Sequence, residues 1–411
     1  MKKKNLLAKS SVESLAGHDC MRVYFAPSGM GLGHVGRIVP IARRLLDKKA
    51  TVVFSTYQEG TKYIEHEQLP LIEAPAVGVQ VKPDGTIDFR RTAIKPGPFV
   101  ASFTILEQVN AEIKSIRSFH PDIVVSDSRA SSLLAARALG IPRLCILNQF
   151  QVIIPRRRHH LYLARLTDSV TLTFIGKIWT SGNTVLIPDF PPPYTISVGN
   201  LNIPKSYKKK VRLIGPILEV RPEALQTETE LRRKLGLSAD KPVIFVPISG
   251  PIKEKAYLTG LLRKTLLEFP EEYEVVMSLG HPKSDKRATH YGNVTIFDWI
   301  PNRFEYLKAC DIVIGRAGHG TITQAMTYGK PLILIPTPSH TEQISNAKQA
   351  QDLGIAKIVL QQDLNKENLM NAVKQTLEGK ASERVQMIQE QVLKYDGLEN
   401  AVATINEIVK R

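Results

Sequence analysis

A histidine at the end of a glycine-rich turn is well placed for acid–base chemistry. Residues 28–34 read Ser-Gly-Met-Gly-Leu-Gly-His, between an apolar run at 21–26 and a helical stretch at 35–48. Glycines at alternate positions, of which Gly33 is the last, let a backbone pass close to a ligand. A helix N-terminus disfavours the imidazolium, so His34 would stay available as a base. The alternative is a histidine that only caps its own helix.

Asp127 is the candidate partner of this histidine. It ends the apolar run at 123–126, which we interpret as a strand parallel to the one at 21–26. Because parallel strands end at the same edge of a sheet, the two side chains are expected there. A carboxylate bonded to one imidazole nitrogen fixes the tautomer and stabilises the charge that forms when the other nitrogen accepts a proton. Asp127 could instead cap the next helix.

A second glycine turn has the features of an anion site. Residues 311–315 read Asp-Ile-Val-Ile-Gly and are interpreted as a strand, residues 316–321 read Arg-Ala-Gly-His-Gly-Thr, and a helical stretch follows. Free N–H groups at a helix start attract anions, and the two glycines let phosphate approach. The turn lacks the Gly-Lys-Ser/Thr of a P-loop, so phosphoryl transfer from ATP is not favoured. We predict a diphosphate cradle formed by Gly318, His319, Gly320 and Thr321.

The next strand-to-helix turn carries a polar cluster. Residues 339–347 read Ser-His-Thr-Glu-Gln-Ile-Ser-Asn-Ala. Carboxylate and amide side chains suit sugar hydroxyls because they accept or donate hydrogen bonds in fixed directions. Glu342 and Gln343 are therefore candidate sugar ligands, although such a run alone could be only a helix cap.

The elements that must position these residues repeat along the whole chain. Short β-branched runs alternate with amphipathic stretches, as in parallel strands joined by crossover helices. Strands are predicted at 21–26, 51–55, 122–126, 143–147, 243–248, 274–279, 293–297, 311–314, 331–335 and 356–360. A stretch rich in Pro, Lys and Gly at about 188–223 is the predicted linker. We expect an α/β protein with two doubly wound domains facing across a cleft, and ligand at the strand-to-helix turns.

Composition narrows the class of protein and of partner. The 411 residues are 43% hydrophobic and 23% charged, which is ordinary globular composition and excludes disordered, collagenous and coiled-coil chains. Residues 1–215 carry 30 basic and 15 acidic residues, whereas residues 216–411 carry 25 and 24. This asymmetry favours an anionic partner on the N-terminal half, although a merely solvated surface is an alternative. Three isolated cysteines and no long apolar run predict a reduced, cytoplasmic protein without a membrane span.

Residues 297–347 resemble the donor-binding signature of GT-B glycosyltransferases, over about fifty positions in order and spacing. The stretch is similar to the UDP-glucuronosyl/glucosyltransferases and to the bacterial lipid-linked N-acetylglucosaminyltransferase of peptidoglycan synthesis. The turn at 28–34, followed by Pro40, resembles the glycine–histidine loop of the same family. The likeness therefore extends over both predicted domains and implies a GT-B fold of two Rossmann-like domains.

The resemblance also implies roles for individual residues. His34 matches the base of the family and Asp127 its supporting carboxylate. The matching positions that bind the sugar donor are Gly33, Ser249, Gly250, Trp299, Ile300, Gly318, His319, Gly320, Thr321, Gln324, Glu342 and Gln343.

Within this set, the resemblance places Trp299 and Ile300 against uracil, and Ser249 and Gly250 in a loop that contacts phosphate. Gln324 departs from the ribose-binding Glu of the family. An amide still bonds a ribose hydroxyl, but UDP is less securely implied. Trp299 could instead belong to an interdomain core, and His319 could be a turn residue satisfied by backbone.

The implied activity is inverting transfer of a sugar from a nucleoside diphosphate, UDP by preference, to a hydroxyl group. No Asp-x-Asp occurs, so no metal and no resident cofactor are expected. The implied domains are an N-terminal acceptor domain at 21–205 and a C-terminal nucleotide-sugar domain at 206–395. Residues 1–20 are predicted to be a disordered tail or a non-native start, and a helix at 396–411 could pack back on the N-terminal domain.

Two basic clusters in the N-terminal half indicate which class of acceptor the protein would bind. Residues 156–160 (Arg-Arg-Arg-His-His) and 205–212 (Lys-Ser-Tyr-Lys-Lys-Lys-Val-Arg) flank a stretch with apolar residues. Positive charge beside apolar surface suits anionic headgroups or a lipid-linked phosphate, so we expect a peripheral enzyme on the cytoplasmic face of a membrane. A soluble acceptor, a non-hydrolysing UDP-N-acetylglucosamine epimerase and a catalytically silent sugar-nucleotide-binding subunit are the alternatives. No nucleic-acid motif is present, and the sequence does not determine the oligomeric state.

Overall fold

Two seven-stranded sheets, each flanked by helices, form the protein in the computed structural model. The structure describes residues 20–30, 32–76, 98–148, 176–182, 184–201, 203, 205–250, 252–281 and 288–410, with backbone alone for 98–104 and 252–254. Residues 1–19, Gly31, the basic cluster at 156–160 and the apolar stretch as far as residue 175 lie outside the described residues. The predicted pair of doubly wound α/β domains is confirmed.

All strands of the first sheet are parallel, in the order β3-β2-β1-β4-β5-β6-β7. Their bounds are β1 Arg22–Pro27, β2 Thr51–Thr56, β3 Leu71–Glu73, β4 Ile123–Asp127, β5 Arg143–Ile146, β6 Val185–Ile187 and β7 Val211–Leu213. Strand β4 is buried along its whole length, because helices cover both faces of such a sheet.

The second sheet has the order β10-β11-β9-β8-β12-β13-β14, and only the pair β10–β11 is antiparallel. Its strands are β8 Val243–Pro247, β9 Glu274–Ser278, β10 Ala288–Tyr291, β11 Val294–Phe297, β12 Ile312–Gly315, β13 Leu332–Leu334 and β14 Ala356–Ile358. The predicted strands of both halves fall on these elements, with ends that differ by one or two residues.

Thirteen α-helices with defined bounds connect the strands within the described residues. In the first half they are α1 Gly33–Asp47, α2 Glu59–His66, α3 Pro98–Phe119, α4 Ala130–Ala138 and α5 Val198–Leu201. The others are α6 Glu228–Leu235, α7 Ile252–Leu266, α8 Arg303–Ala309, α9 His319–Thr327, α10 Thr341–Asp352, α11 Lys366–Leu377, α12 Ala381–Val392 and α13 Gly397–Val409.

The predicted linker at 188–223 contains a β-strand of the first sheet, so the prediction of a simple linker between the domains is wrong. Strand β7 pairs with β6 and completes the first sheet, so the predicted boundary between residues 205 and 206 precedes the last strand of this sheet. The short segment Val211–Leu213 has Arg212 at its centre and follows four lysines within six residues, so its local composition does not indicate a strand. Sheet pairing, a tertiary interaction, decides its conformation.

We term the part of the protein built on the first sheet the first, or N-terminal, lobe and the part built on the second sheet the second lobe. The C-terminal end of the chain returns to the first lobe. Helix α13 places Leu398, Ala401, Val402 and Ile405 in the same core as Ile38 of α1. These four positions have the helical spacing that puts them on one face. The last helix is therefore part of the hydrophobic core of the N-terminal lobe, although the sequence that precedes it belongs to the other lobe.

The order of the strands creates one crevice in each sheet. From β1 the chain builds β2 and β3 on one side and then crosses to β4 on the other. From β8 it builds β9 on one side and later crosses to β12 on the other. Loops at the carboxyl ends of the strands separate at such switch points and leave room for a ligand. The glycine turns at 28–34 and 316–321 both follow strands that border these crevices.

No helix among the described residues is both long and apolar enough to cross a membrane.

The packing of α13 predicts a stability effect. Ile405 is fully buried, so we expect Ile405→Ala to lower the free energy of unfolding by about 2–4 kcal/mol, through lost burial and a residual cavity. Urea unfolding followed by circular dichroism measures this change. The exposed neighbour Glu407 provides the control, because Glu407→Ala changes the exposed face of α13, including an ion pair with Arg212, and leaves the buried face intact. Equal stabilities of the two variants would contradict the packing described for α13.

Candidate functional site

The two crevices open into one cavity between the lobes. Its volume is about 310 Å³, at the small end of the range for ligand sites. The lining residues from the first lobe include Gly33, His34 and Arg37. From the second lobe they include all the predicted sugar-donor positions: Ser249, Gly250, Trp299, Ile300, Gly318, His319, Gly320, Thr321, Gln324, Glu342 and Gln343. The structure thus brings the predicted site residues to one place, with the side chain of Asp127 directly behind His34.

His34 and Asp127 are in direct contact. Nδ1 of His34 lies 2.8 Å from Oδ1 of Asp127, and the carboxylate is fully buried whereas the imidazole is a quarter exposed. An ionised carboxylate can only accept, so Nδ1 carries the proton in this bond and Nε2 is the nitrogen with a free lone pair. The ring is therefore held in the tautomer that a general base requires.

Arg37 is a member of this group that the sequence analysis missed. Its Nε donates to Oδ2 of Asp127, its Nη2 donates to Oδ1 at 2.5 Å, and Nη2 lies 3.1 Å from Nδ1 of His34. The spacing of three residues between His34 and Arg37 places both on one face of α1, and this spacing was the available signal. The bidentate geometry is the strong form of a guanidinium–carboxylate pair.

The charge of Asp127 depends on these neighbours. Burial alone would raise the pKa of Asp127, but the charge of Arg37, the proximity of His34 and hydrogen bonds from both lower it to about 2. Oγ of Ser128 donates a further bond at 3.1 Å. Ser128 has a φ of 57°, an uncommon conformation for a serine, in the turn that directs the carboxylate towards α1.

Two glycines of the first turn have different reasons to be glycine. A Cβ on residue 29 would lie 1.8 Å from the carbonyl oxygen of Tyr57, so Gly29 is required by the close approach of two backbones. A Cβ on residue 33 would meet nothing within 4 Å. Gly33 lines the cavity, so the room beside it is available to a ligand.

The second-lobe turn presents an uncapped helix N-terminus. Gly318 is the N-cap of α9 and provides no side-chain bond, and none of the N–H groups of residues 319–321 has a partner among the described residues. A Cβ on Gly318 or Gly320 would approach nothing closer than 3.8 Å, so internal packing does not require glycine there. Free amides with open space in front of them form an anion site.

The side chain of His319 does not take part in this anion site. It is buried, and its Nε2 lies 3.1 Å from Oδ2 of Asp189, a fully buried carboxylate of the predicted linker. His319 therefore offers its backbone amide to an anion, while its side chain binds another part of the protein. Arg316 is also buried and donates to the carbonyl of Ile335 and to Gln361, so it holds the turn together.

The loop after β8 lies across the same crevice. Gly250 has a φ of 114°, which only glycine adopts readily, and Ser249 and Gly250 line the cavity. Behind this loop, Nζ of Lys255 donates to the carbonyl of Gly280 at 2.6 Å. Burial lowers the pKa of Lys255 to about 8, against an opposing effect of Glu59. This lysine ties α7 to the loop after β9.

The predicted sugar ligands already have partners. Oε1 of Glu342 accepts from Nδ2 of Asn148 at 2.7 Å, across the gap between the lobes. Oε1 of Gln343 accepts from the backbone N–H of Thr337 at 2.9 Å, which leaves its NH₂ group for a ligand. Asn148 follows β5 at the edge where ligand is expected, yet the sequence analysis did not select it. Burial lowers the pKa of His340, so the ring is suited to its role as N-cap of α10.

Trp299 and Ile300 form a wall between the lobes. The Trp299 ring packs edge-on against Tyr63 and His66, at centroid distances of 6.2 and 5.8 Å, and is 9% exposed. It belongs to the core of the first lobe, whereas Ile300 belongs to that of the second. Gln324 lines the cavity nearby and is partly exposed, as is Arg303. Trp299 therefore packs in a core between the lobes, which was the alternative to a role in binding uracil. The same residue also borders the cavity.

Comparison with known proteins agrees with this geometry. Residues 253–405 match the glycosyltransferase family 28 C-terminal domain. An "Uncharacterized glycosyltransferase" of Methanosarcina acetivorans is 26% identical over 88% of this chain and 91% of its own. The "UDP-N-acetylglucosamine--N-acetylmuramyl-(pentapeptide) pyrophosphoryl-undecaprenol N-acetylglucosamine transferase" of Desulforamulus reducens is also 26% identical, over 88% of this chain and 91% of its own.

Solved structures share the fold. The calicheamicin glycosyltransferase CalG4 superimposes with a TM-score of 0.65 and 16% identity, over 96% of this chain and 99% of its own. MurG of Acinetobacter baumannii gives a TM-score of 0.57 and 18% identity, over 94% and 99%. The predicted GT-B fold is confirmed. The domain match, the relatives and the fold together support a glycosyltransferase that resembles MurG.

The buried charge of Asp127 predicts a pH dependence of stability. Its pKa is lower in the folded protein than in the unfolded chain, so its contribution is complete above about pH 4 and is lost as the pH falls towards 2. We expect wild type to lose roughly 2 kcal/mol of its stability relative to Asp127→Asn over this window. Urea unfolding from pH 5 down to the lowest pH at which both proteins fold measures this difference.

The matched control is Asp352→Asn, which removes an exposed carboxylate and leaves the contacts of Asp127 with His34 and Arg37 intact. A constant difference between wild type and Asp127→Asn over the same range would contradict the pairing.

Proposed function

We propose that this protein is an inverting glycosyltransferase. It transfers a sugar from a nucleoside diphosphate, UDP by preference, to a hydroxyl group of a lipid or lipid-linked acceptor at the cytoplasmic face of a membrane. One observation carries the proposal: the His34–Asp127 pair and the uncapped start of α9 border the same cavity from opposite lobes. A base and an anion site are the two parts that this reaction requires.

The first lobe provides the base. Nε2 of His34 accepts the proton of the acceptor hydroxyl while the oxygen attacks the anomeric carbon of the sugar. Asp127 stabilises the imidazolium that forms, and Arg37 keeps this carboxylate ionised and oriented. Attack on the side opposite the leaving group inverts the configuration of the sugar.

The second lobe accepts the leaving group. As the bond between the anomeric carbon and the diphosphate breaks, the electron pair and the negative charge move to the diphosphate. The free amides at the start of α9 stabilise this charge, and Arg37 and Arg303 add positive charge to the cavity wall. In this proposal the protein itself provides the positive charge, so the transfer uses neither a metal nor a cofactor.

The class of sugar donor is inferred from the relatives and from the cavity. The Desulforamulus reducens relative is named for UDP-N-acetylglucosamine, and the family 28 domain covers most of the second lobe. Gln324 bonds a ribose hydroxyl through its amide, and Glu342 and Gln343 bond hydroxyl groups of the sugar. Thermal-shift measurements with UDP, dTDP and GDP sugars test the nucleotide, because a specific ligand stabilises the folded state.

The class of acceptor is inferred from the surface of the first lobe. Lys205, Lys208 and Lys209 are exposed in one short turn, and Ile105 and Leu106 of α3 are 46% and 61% exposed. Basic and apolar groups on one lobe suit an anionic membrane surface. The Desulforamulus reducens relative is named for an acceptor that carries pyrophosphoryl-undecaprenol, in agreement with a lipid-linked acceptor here.

A soluble acceptor is the second candidate. The observation that favours it is the higher TM-score with the calicheamicin glycosyltransferase, 0.65 against 0.57 for MurG. Transfer assays with a polyprenyl-diphosphate sugar and with a water-soluble alcohol distinguish the two candidates.

Removal of the base should separate binding from chemistry. We expect His34→Ala to reduce the rate of sugar transfer by about 10²–10⁴-fold, the usual contribution of a general base. The Kd for UDP, measured by calorimetry, should change little, because the anion site lies in the other lobe. His120→Ala, at an exposed position, is the control for loss of a first-lobe histidine. A His34→Ala enzyme with wild-type turnover would eliminate His34 as the base.

Charge reversal tests the membrane contact. Each lysine near an anionic surface contributes about 1 kcal/mol, so a variant with Lys205, Lys208 and Lys209 all changed to Glu should bind phosphatidylglycerol vesicles at least about a hundredfold more weakly. Vesicle co-sedimentation measures the affinity. The control changes Lys357, Lys366 and Lys374, exposed residues of the second lobe, to Glu and alters the net charge equally. Equal losses in the two variants would indicate nonspecific attraction.

A further inference from the structure

A segment of the first half of the chain is built into the second lobe. After β6 the chain enters residues 189–197, which we term the strap, before it returns through α5 and β7 to the first sheet. Phe190 and Ile196 of the strap are fully buried in the core of the second lobe. Gly199, directly after the strap, lies against Ser345 of α10, where a Cβ would be 2.2 Å from Oγ. The strap therefore runs beside the helices that border the cavity.

Asp189 is the charged centre of the strap. Its oxygens accept the backbone N–H groups of Phe190, Ile196 and Ser197 at 2.7–3.2 Å, and the hydroxyl of Ser197 at 2.6 Å. Burial alone would raise the pKa of Asp189, but the influence of His319 and the bonds from Ser197 lower it. The carboxylate is thus ionised although it is fully buried.

The contact that Asp189 makes outside the strap is with His319. Nε2 of the ring lies 3.1 Å from Oδ2, and both side chains are inaccessible or nearly so. His319 is the first residue of α9, whose free amides face the cavity. The carboxylate that holds the strap together therefore also contacts a residue of the turn which we propose binds the diphosphate.

We propose that Asp189 is a positioning residue for the sugar-donor site and acts through His319. The carboxylate holds the imidazole behind the first turn of α9, which keeps the ring out of the cavity and the amides of residues 319–321 directed into it. The sugar-donor site of the second lobe thereby depends on a carboxylate at the end of a first-lobe strand. This inference rests on the proposed function, because it assumes that the turn binds a diphosphate.

Calorimetry with UDP as the probe, together with transfer kinetics, tests this role. We expect His319→Ala to raise the Kd for UDP and the KM for the sugar donor about tenfold, because the helix start loses its anchor. The acceptor KM should stay within about twofold, since His34 and Asp127 are unaffected, whereas the kcat should also fall, because the same amides stabilise the departing diphosphate. His319→Gln should restore much of the affinity, because its buried amide can donate a hydrogen bond to the carboxylate of Asp189 and so keep the contact between the two residues. A merely structural loss would not show this split between constants or this rescue.

Asp189→Asn changes the other partner of the Asp189–His319 pair by removing its negative charge. We expect the same increase in the Kd for UDP. If this variant does not fold, the two His319 variants decide, since they leave the bonds of Asp189 within the strap intact. His290→Gln, at an exposed position of β10, is the control and should bind UDP as wild type does. Wild-type affinity for UDP in His319→Ala would overturn the inference. Failure of wild type itself to bind any nucleoside diphosphate would overturn the proposed function instead.

Discussion

Parallel strands end at one edge of their sheet, and this constraint organises the whole protein. Both sheets have a switch point at which loops separate, and the two edges face each other across one cavity. Most of the predicted chemical residues lie in or directly beside loops that leave these edges, and Gln324 lies further along α9. A histidine 12 residues after the start of β1 and an aspartate 93 residues further along the chain therefore come into contact. The geometry of the site follows from the order of the strands before any side chain is considered.

Two buried carboxylates, each at or just after the end of a strand of the first sheet, contact histidines that border the cavity. Asp127 ends β4 and bonds His34 in the first turn of α1, and Asp189 follows β6 and contacts His319 in the first turn of α9. In both pairs burial opposes the charge and neighbouring groups maintain it. The pairs differ in the exposure of the histidine. His34 is a quarter exposed and borders the cavity, which suits proton transfer, whereas His319 is buried and suits an anchor.

The lobes are connected by more than a linker. The strap carries first-half residues into the second core, and α13 carries the end of the chain back to the first core. Trp299 of the second lobe packs against Tyr63 and His66 of the first, and Asn148 reaches across to Glu342. Trp299, Asn148 and Glu342 also line the cavity. The position of one lobe relative to the other therefore sets the distance between the base and the anion site.

The sequence by itself determined the elements and the residues whose chemistry is local. Alternating β-branched and amphipathic runs predicted ten of the fourteen strands to within one or two residues. Glycine turns after strands identified His34 and the start of α9, because these signals depend on near neighbours. Tertiary structure decided the rest. Val211–Leu213 became a strand only because β6 offered an edge, and Arg37 joined the site because Asp127 lies opposite its face of α1. Asp189, in a stretch that looked like a linker, gained its partner from a residue 130 positions away. Pairing across such separations depends on how the sheets and lobes pack, and no local pattern in the chain records it.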